Sequence, residues 1–155
     1  MTTAYTTRDS VRLMCKSILT RLENQKSISY PARLRQIVQD EVVGLVGPFV
    51  LTEQDLRERA LARMGAKAET LADASSDKQF AESDQYRAAK AVIRQGFGDD
   101  TLNGFYFQRP LKTVAQLVRE YLMRSSHIDE VYETDEDLEK MIVEIVRKFQ
   151  PSEVH

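Results

Sequence analysis

Apolar residues recur at intervals of three and four along most of this chain, which is the pattern of amphipathic helices. Two segments carry the same pattern, because residues 11–45 align without a gap on residues 115–149. The aligned apolar pairs are Met14 and Val118, Ile18 and Leu122, Leu34 and Leu138, Ile37 and Met141, Val38 and Ile142, and Val42 and Val146. Each segment reads as a helix, a polar link and a second helix.

Helix start signals agree with this reading. The predicted N-caps are Asp9 or Ser10, Thr52, Thr113 and Thr134. Asp55 and Asp137 follow two of these threonines at the spacing of a capping box. The sequence therefore predicts an all-α fold, a helical bundle of five to six helices built from two similar helix–link–helix units in a pseudo-twofold arrangement. Residues 1–155 form a single domain in this prediction, with residues 66–112 as the linking region.

The linking region contains two kinds of segment. Residues 66–84 are rich in Ala, Ser and Asp and are a candidate hinge, after which a helix is predicted to resume with Tyr86, Val92 and Ile93 facing inward. The turn signal Asn103-Gly104 then precedes three successive aromatic residues.

Those aromatic residues, Phe105, Tyr106 and Phe107, cannot all face one core from a single helix or strand. We therefore expect at least one of them to be exposed or to meet something other than that core, and the functional hypothesis is a docking loop whose aromatic residue binds a protein partner. The alternative interpretation is a short extended segment packed across the helices.

Composition and charge restrict the function classes. The chain has 155 residues, of which 42% are hydrophobic and 30% charged, and a net charge of −2. The charge is uneven, since residues 1–112 carry about +3 and residues 113–155 about −5. Without an apolar run of membrane-spanning length or the layout of a signal peptide, the expected location is cytoplasmic.

Few residues have the pattern of a catalytic or metal site. The single cysteine, Cys15, lies in an apolar stripe and is expected to be buried, while His127 lies in a polar link, where a solvated or capping role is expected. A calcium loop needs a central glycine that the acidic region after Gly104 lacks. Phosphate-binding and hydrolase motifs are also missing. We therefore expect no enzyme activity, no catalytic residues, no metal and no cofactor.

A second hypothesis is nucleic-acid binding by a basic face of the middle helices. The residues are Arg57, Arg59, Arg63, Lys67, Arg87, Lys90 and Arg94. Phosphate contacts require such cations on one face. Glu53, Asp55 and Glu58 are mixed among them, which favours a solvated surface instead.

Residues 113–149 read V-x-x-L-V-x-x-x-L, then S-x-x-I-x-x-V and an acidic helix start before I-x-x-I-V. This pattern resembles the opening of a small bacterial helical family, domain of unknown function 507. Residues 28–64, which contain L-T-E-Q-D-L-R-E-R, are similar to the family's following part. This chain is longer, carries the 103–110 insertion and holds two copies of the first helical pair. The resemblance implies a mostly helical bacterial protein with no assigned activity, so no functional residues are carried over.

The expected function is a non-enzymatic protein–protein interaction or structural module of a bacterial cytoplasm. A protein partner or a second copy of the chain would cover apolar surface left by the bundle. Nucleic-acid binding is the alternative, and no membrane association is expected.

Overall fold

The computed structural model describes residues 6–64, 91, 101–102 and 104–151. This part is mostly helical, as the sequence predicts. Its α-helices are α1 (Arg8–Asn24), α2 (Arg35–Val46), α3 (Glu53–Met64), α4 (Leu111–Arg124) and α5 (Asp135–Lys148). Its strands are β1 (Ile28–Ser29), β2 (Val50–Leu51), β3 (Thr101–Leu102), β4 (Phe105–Phe107) and β5 (Glu130–Val131). Short 3-10 helices, Ala32–Leu34 and Gly47–Phe49, flank α2. The predicted hinge and the helix expected to follow it lie outside the described residues.

Four of these helices surround the main core. Helix α1 packs on α2 and α5, and α4 packs on the same two helices. The apolar stripes of all four meet in one cluster of buried side chains, which includes Met14, Ile18, Val42, Val118 and Ile142. Removing such stripes from water supplies most of the stability of amphipathic helices.

The 11–45 and 115–149 segments both contain a helix, a two-residue strand and a second helix. Their strands β1 and β5 pair antiparallel, with Ile28 opposite Val131. Four of the six apolar pairs aligned from sequence are buried on both sides: Met14 with Val118, Ile18 with Leu122, Val38 with Ile142, and Val42 with Val146. Ile37 departs from the pattern, since 44% of its surface is exposed. The origin of the segments as two copies of one unit stays a prediction.

A three-stranded sheet with the order β2-β4-β3 covers one end of the core. Leu102 pairs with Phe105, so the predicted turn joins β3 to β4 as a hairpin, and Gly104 has a φ of 89°. In β4, Phe105 and Phe107 point into the main core, while Tyr106 points to the other face and packs with Leu51 and Leu56.

All three aromatic residues of β4 are buried, so none is exposed, and Tyr106 instead meets a surface other than the main core, which was the second possibility. The reason is tertiary. Alternate side chains of a strand point to opposite faces, and here the main core covers one face while α3 covers the other. The alternative interpretation, an extended segment packed across the helices, describes this arrangement.

The N-terminus of α3 is capped from two directions. As predicted, Thr52 and Asp55 form a reciprocal box: the Asp55 amide donates to Thr52 Oγ1 at 3.2 Å, and the Thr52 amide donates to Asp55 Oδ2 at 2.9 Å. The buried Thr6 hydroxyl accepts the Glu53 amide at 2.8 Å and donates to the Gly104 carbonyl at 2.6 Å. The N-terminal segment therefore ties α3 to the β3–β4 hairpin.

Other helix ends differ from the prediction in part. Thr134 caps α5 as expected, accepting the Asp137 amide at 3.2 Å. Helix α1 begins after Thr7 instead of Asp9 or Ser10, and Ser10 Oγ accepts the Thr7 amide at 3.0 Å. Helix α4 begins at Leu111, so Thr113 lies in its first turn and is not the N-cap. Pro110 precedes that helix, where a residue without an N–H does no harm.

Helix α1 ends in a Schellman motif. The Ser27 amide donates to the Leu22 carbonyl and the Lys26 amide to the Glu23 carbonyl, both at 2.9 Å. Lys26 has a φ of 61°, in the left-handed region that favours glycine.

Among the described residues, no helix is both long enough and apolar enough to cross a membrane.

Candidate functional site

A cleft of about 510 Å³ lies between α2 and α4 and opens to solvent. Helix α2 contributes Glu41 and Leu45, which are one turn apart and therefore on one face. The rest of the lining comes from α4 and the residues after it: Leu117, Glu120, Tyr121, Arg124, Ser125, Ser126 and His127. Polar and apolar groups thus meet in a groove between two packed helices.

The Glu41 carboxylate is the centre of the polar groups in this cleft. One of its oxygens accepts a short hydrogen bond from the Tyr121 hydroxyl, and the other lies 3.3 Å from His127 Nε2. His127 is held there by the turn after α4, in which its amide donates to Ser125 Oγ at 3.1 Å. The His127 side chain thus contacts a carboxylate, which the solvated or capping role expected from sequence does not include.

Burial, together with the hydrogen bond to Glu41, raises the pKa of Tyr121 to about 12. The phenol therefore stays protonated and acts as a hydrogen-bond donor at any physiological pH. Both oxygens of Glu41 are engaged, one by Tyr121 and one by His127. The three side chains form a fixed polar contact between α2 and the end of α4.

The rim of the cleft is accessible and charged. The side chains of Glu120 and Glu41 are 49% and 40% exposed, and Arg124 is exposed. Leu45 and Leu117 are half-buried beside them. Apart from the imidazole, the lining of the cleft holds two carboxylates and one guanidinium, which gives a net formal charge of −1.

The residues proposed from sequence do not line this cleft. Phe105, Tyr106 and Phe107 are buried in the fold, and the Tyr106 hydroxyl donates to the buried Glu53 carboxylate. A partner approaching the folded domain does not meet these rings.

The basic set proposed for nucleic-acid binding begins on α3. Arg57 is half-buried and Arg59 is exposed, both on α3. The side chain of Arg63, together with Lys67, Arg87, Lys90 and Arg94, lies outside the described residues. The predicted nucleic-acid face therefore stays a prediction.

Cys15 is fully buried, as predicted, and its burial raises the pKa of the thiol to about 12. The thiolate, which is the nucleophilic form, is therefore absent at neutral pH. Within the part of the chain that the structure describes, no three His, Cys, Asp or Glu residues are grouped to hold a metal ion.

Little in the sequence indicates the Glu41 cluster, which consists of Glu41, Tyr121 and His127. Glu41 and Tyr121 are 80 residues apart, and each lies at the edge of a helical stripe, where a polar residue is ordinary. The detectable signal was Tyr121 itself, a residue with a polar end within the predicted inward stripe of α4.

No family model, no curated protein and no solved structure matches the chain.

Proposed function

We propose that this protein is a non-enzymatic protein–protein interaction module, built from two similar helix–link–helix units, and that the α2–α4 cleft is its binding surface. The observation that carries the proposal is the composition of this cleft. Its walls offer the half-buried Leu45 and Leu117, and its rim offers the half-exposed Glu120 carboxylate. Apolar contact area surrounded by accessible charge is the usual anatomy of a protein interface.

The occupant that fits this shape is an α-helix of the partner. A groove between two packed helices accepts a third helix, whose apolar residues at i and i+3 or i+4 contact the groove walls. Because the cleft carries a net negative charge, that helix should be cationic beside its apolar stripe. Glu120 is the exposed carboxylate that such a cation would approach.

A binding role also suits the state of the polar groups. Tyr121 is held as a hydrogen-bond donor to Glu41, and its raised pKa keeps the phenol protonated near neutral pH. These groups instead fix the relative position of α2 and α4. A rigid groove reduces the entropy lost on binding.

The test is affinity capture of the tagged protein from its native cell lysate, with and without nuclease, followed by mass spectrometry. We expect a protein partner that survives nuclease. Glu120→Lys should weaken its capture, because the cleft becomes positive, and Arg124→Glu should strengthen it, because the cleft becomes more negative.

The matched controls are Glu144→Lys and Lys140→Glu, which make the same charge changes at exposed positions of α5. Both should leave capture unchanged. Partners that disappear with nuclease would favour nucleic-acid binding instead. Equal effects of the cleft variants and their controls would show that the cleft is not the binding surface.

A further inference from the structure

A second groove, on the outer face of α1, has the opposite charge. Its volume is about 460 Å³, and its lining includes Leu13, Lys16, Ser17, Thr20, Arg21, Asn24 and Gln25. Lys16 and Arg21 are exposed, and no carboxylate is among these lining residues. The described lining of the α1 groove therefore carries a net charge of +2 beside a half-buried leucine.

The two grooves occupy matching positions in the aligned segments. A shift of 104 residues places Leu13 on Leu117 and Lys16 on Glu120. Leu117 and Glu120 line the α2–α4 cleft, just as Leu13 and Lys16 line the α1 groove. The apolar residue is thus retained at the matching position, while the sign of the exposed charge is reversed.

The two aligned segments also have net charges of opposite sign. Residues 11–45 contain six basic and three acidic residues, for a net +3, and residues 115–149 contain five and nine, for a net −4. Opposite charges of this size would be expected to pair wherever the segments meet.

The ion pairs of the described residues do not join the two segments in that way. Residues 11–45 form the pairs Arg12–Asp40 and Arg35–Glu23 internally, and residues 115–149 form Arg119–Glu139, Arg119–Asp135 and Arg119–Glu120. Between the segments, the described charged contact is that of His127 Nε2 with Glu41 at 3.3 Å, which is an ion pair only when the imidazole is protonated. Within the described part of the chain, Lys16 and Arg21 have no ion-pair partner, and both are exposed. The opposite charges therefore face solvent.

We infer that the helix bound in the α2–α4 cleft is α1 of a second copy of this chain. This inference rests on the proposed function, because it names the occupant of the same cleft. Leu13 of one copy contacts the Leu45 and Leu117 walls of the next, and Lys16 and Arg21 approach the Glu120 rim. Arg124 opposes this attraction, but the cleft retains a net negative charge.

Two different surfaces meet in this contact, so it is heterologous. Each bound copy still presents an open cleft at one end and an open α1 groove at the other. Such contacts generate rings when the rotation closes and filaments when it does not. Because exposed charges provide much of the attraction, the association should weaken as salt is added.

The experiment measures the association constant of the purified full chain by sedimentation equilibrium over a range of concentrations and salt. Wild type should associate. The Lys16→Glu/Arg21→Glu variant makes both surfaces acidic, and the Glu120→Lys variant makes both basic. Each should reduce the association constant by about tenfold or more, since like charges then face each other.

Association should return in two ways. The triple variant Lys16→Glu/Arg21→Glu/Glu120→Lys again has surfaces of opposite sign on every copy, and an equimolar mixture of the two weakened variants again offers complementary pairs. Lys140→Glu/Arg147→Glu on α5 makes the same net charge change as the first variant and should associate like wild type. Circular dichroism establishes that each variant is folded.

A wild-type chain that stays monomeric at every concentration up to its solubility limit would overturn the inference. So would a triple variant and a mixture that both stay dissociated. The lysate capture distinguishes these failures from failure of the proposed function. If the chain is monomeric but captures another protein, and Glu120→Lys abolishes that capture, then the inference that a second copy occupies the cleft is wrong and the proposed function stands. If neither association depends on Glu120, both proposals fail.

Discussion

Tyr121 on α4 donates its hydroxyl hydrogen to Glu41 on α2, 80 residues earlier in the chain. The bond joins two helices that come from different aligned segments, at the floor of the cleft. It therefore connects the stability of the fold to the shape of the proposed binding surface.

Replacing Tyr121 by Phe should lower the free energy of unfolding by about 0.5–1.5 kcal/mol, because it removes one hydrogen bond and little packing. Urea denaturation at neutral pH measures the change. Tyr132→Phe is the control, since Tyr132 is 61% exposed and its hydroxyl makes no hydrogen bond in the described structure. Equal stability of Tyr121→Phe and wild type would mean that water replaces the hydroxyl at no cost.

The protein should lose stability in alkali between about pH 10 and pH 12. Burial raises the pKa of Tyr30 to about 12, with a further contribution from its hydrogen bond to Glu23, and the pKa of Tyr121 is raised to a similar value. A group whose folded pKa lies above its unfolded value contributes stability that is complete below pH 10 and is lost as the pH rises through 12. Tyr30→Phe and Tyr121→Phe should each flatten the dependence of unfolding free energy on pH in this window. The Tyr132→Phe variant should keep the wild-type slope.

Alanine at Phe105 or Phe107 should destabilise the fold by about 3–5 kcal/mol, as expected for a large ring removed from a packed core. Both rings are about 1% exposed, and the Phe105 ring lies 6.0 Å from that of Phe149. Thermal denaturation followed by circular dichroism measures the loss. Phe105→Leu keeps most of the volume and should cost less than about 1.5 kcal/mol. The leucine variant should remain folded even if the alanine variants do not.

A normal melting temperature for Phe105→Ala, with loss of partner capture, would contradict this prediction. That result would support the hypothesis that the three successive aromatic residues bind a protein partner. Loss of stability alone identifies β4 as core, with no direct part in binding.

Glycine at position 26 should stabilise the protein by about 0.5–1 kcal/mol. Lys26 is exposed at a φ of 61°, a conformation that costs a residue with a Cβ about 1–2 kcal/mol. Part of the gain is offset because glycine increases the entropy of the unfolded chain, by about 0.4–1 kcal/mol. Urea denaturation of Lys26→Gly and Lys26→Ala tests this. The alanine variant keeps the unfavourable backbone and should show no gain, so an equal gain in both would refute the backbone explanation.

The helical class was predictable because local rules determine it. The stripe of α5 and its Thr134 cap are encoded within a few residues, and the structure reproduces both. The Thr52–Asp55 box at α3 was predictable for the same reason. Where several polar residues lie before a stripe, as at α1, the pattern located the helix but placed its cap two or three residues late.

The burial of β4 and the Glu41 cluster depend on contacts that are distant in sequence. Three adjacent aromatics can all be buried only if two layers enclose the strand, and the second layer here is α3, which precedes β4 by some forty residues of chain. The Tyr121 and His127 contacts with Glu41 likewise arise only when α2 packs on α4. Periodicity identifies the inward face of each helix but not its neighbour.

The Thr6 hydroxyl also imposes an order on folding during synthesis. It accepts from Glu53 and donates to Gly104, which is 98 residues later in the chain. A ribosome must therefore add Gly104 before both bonds can exist, although α1 and α2 have all their residues much earlier. Contacts of such long range form slowly, because the intervening chain must first be closed into a loop. The N-terminal segment therefore packs between α3 and the hairpin late in the synthesis of the chain.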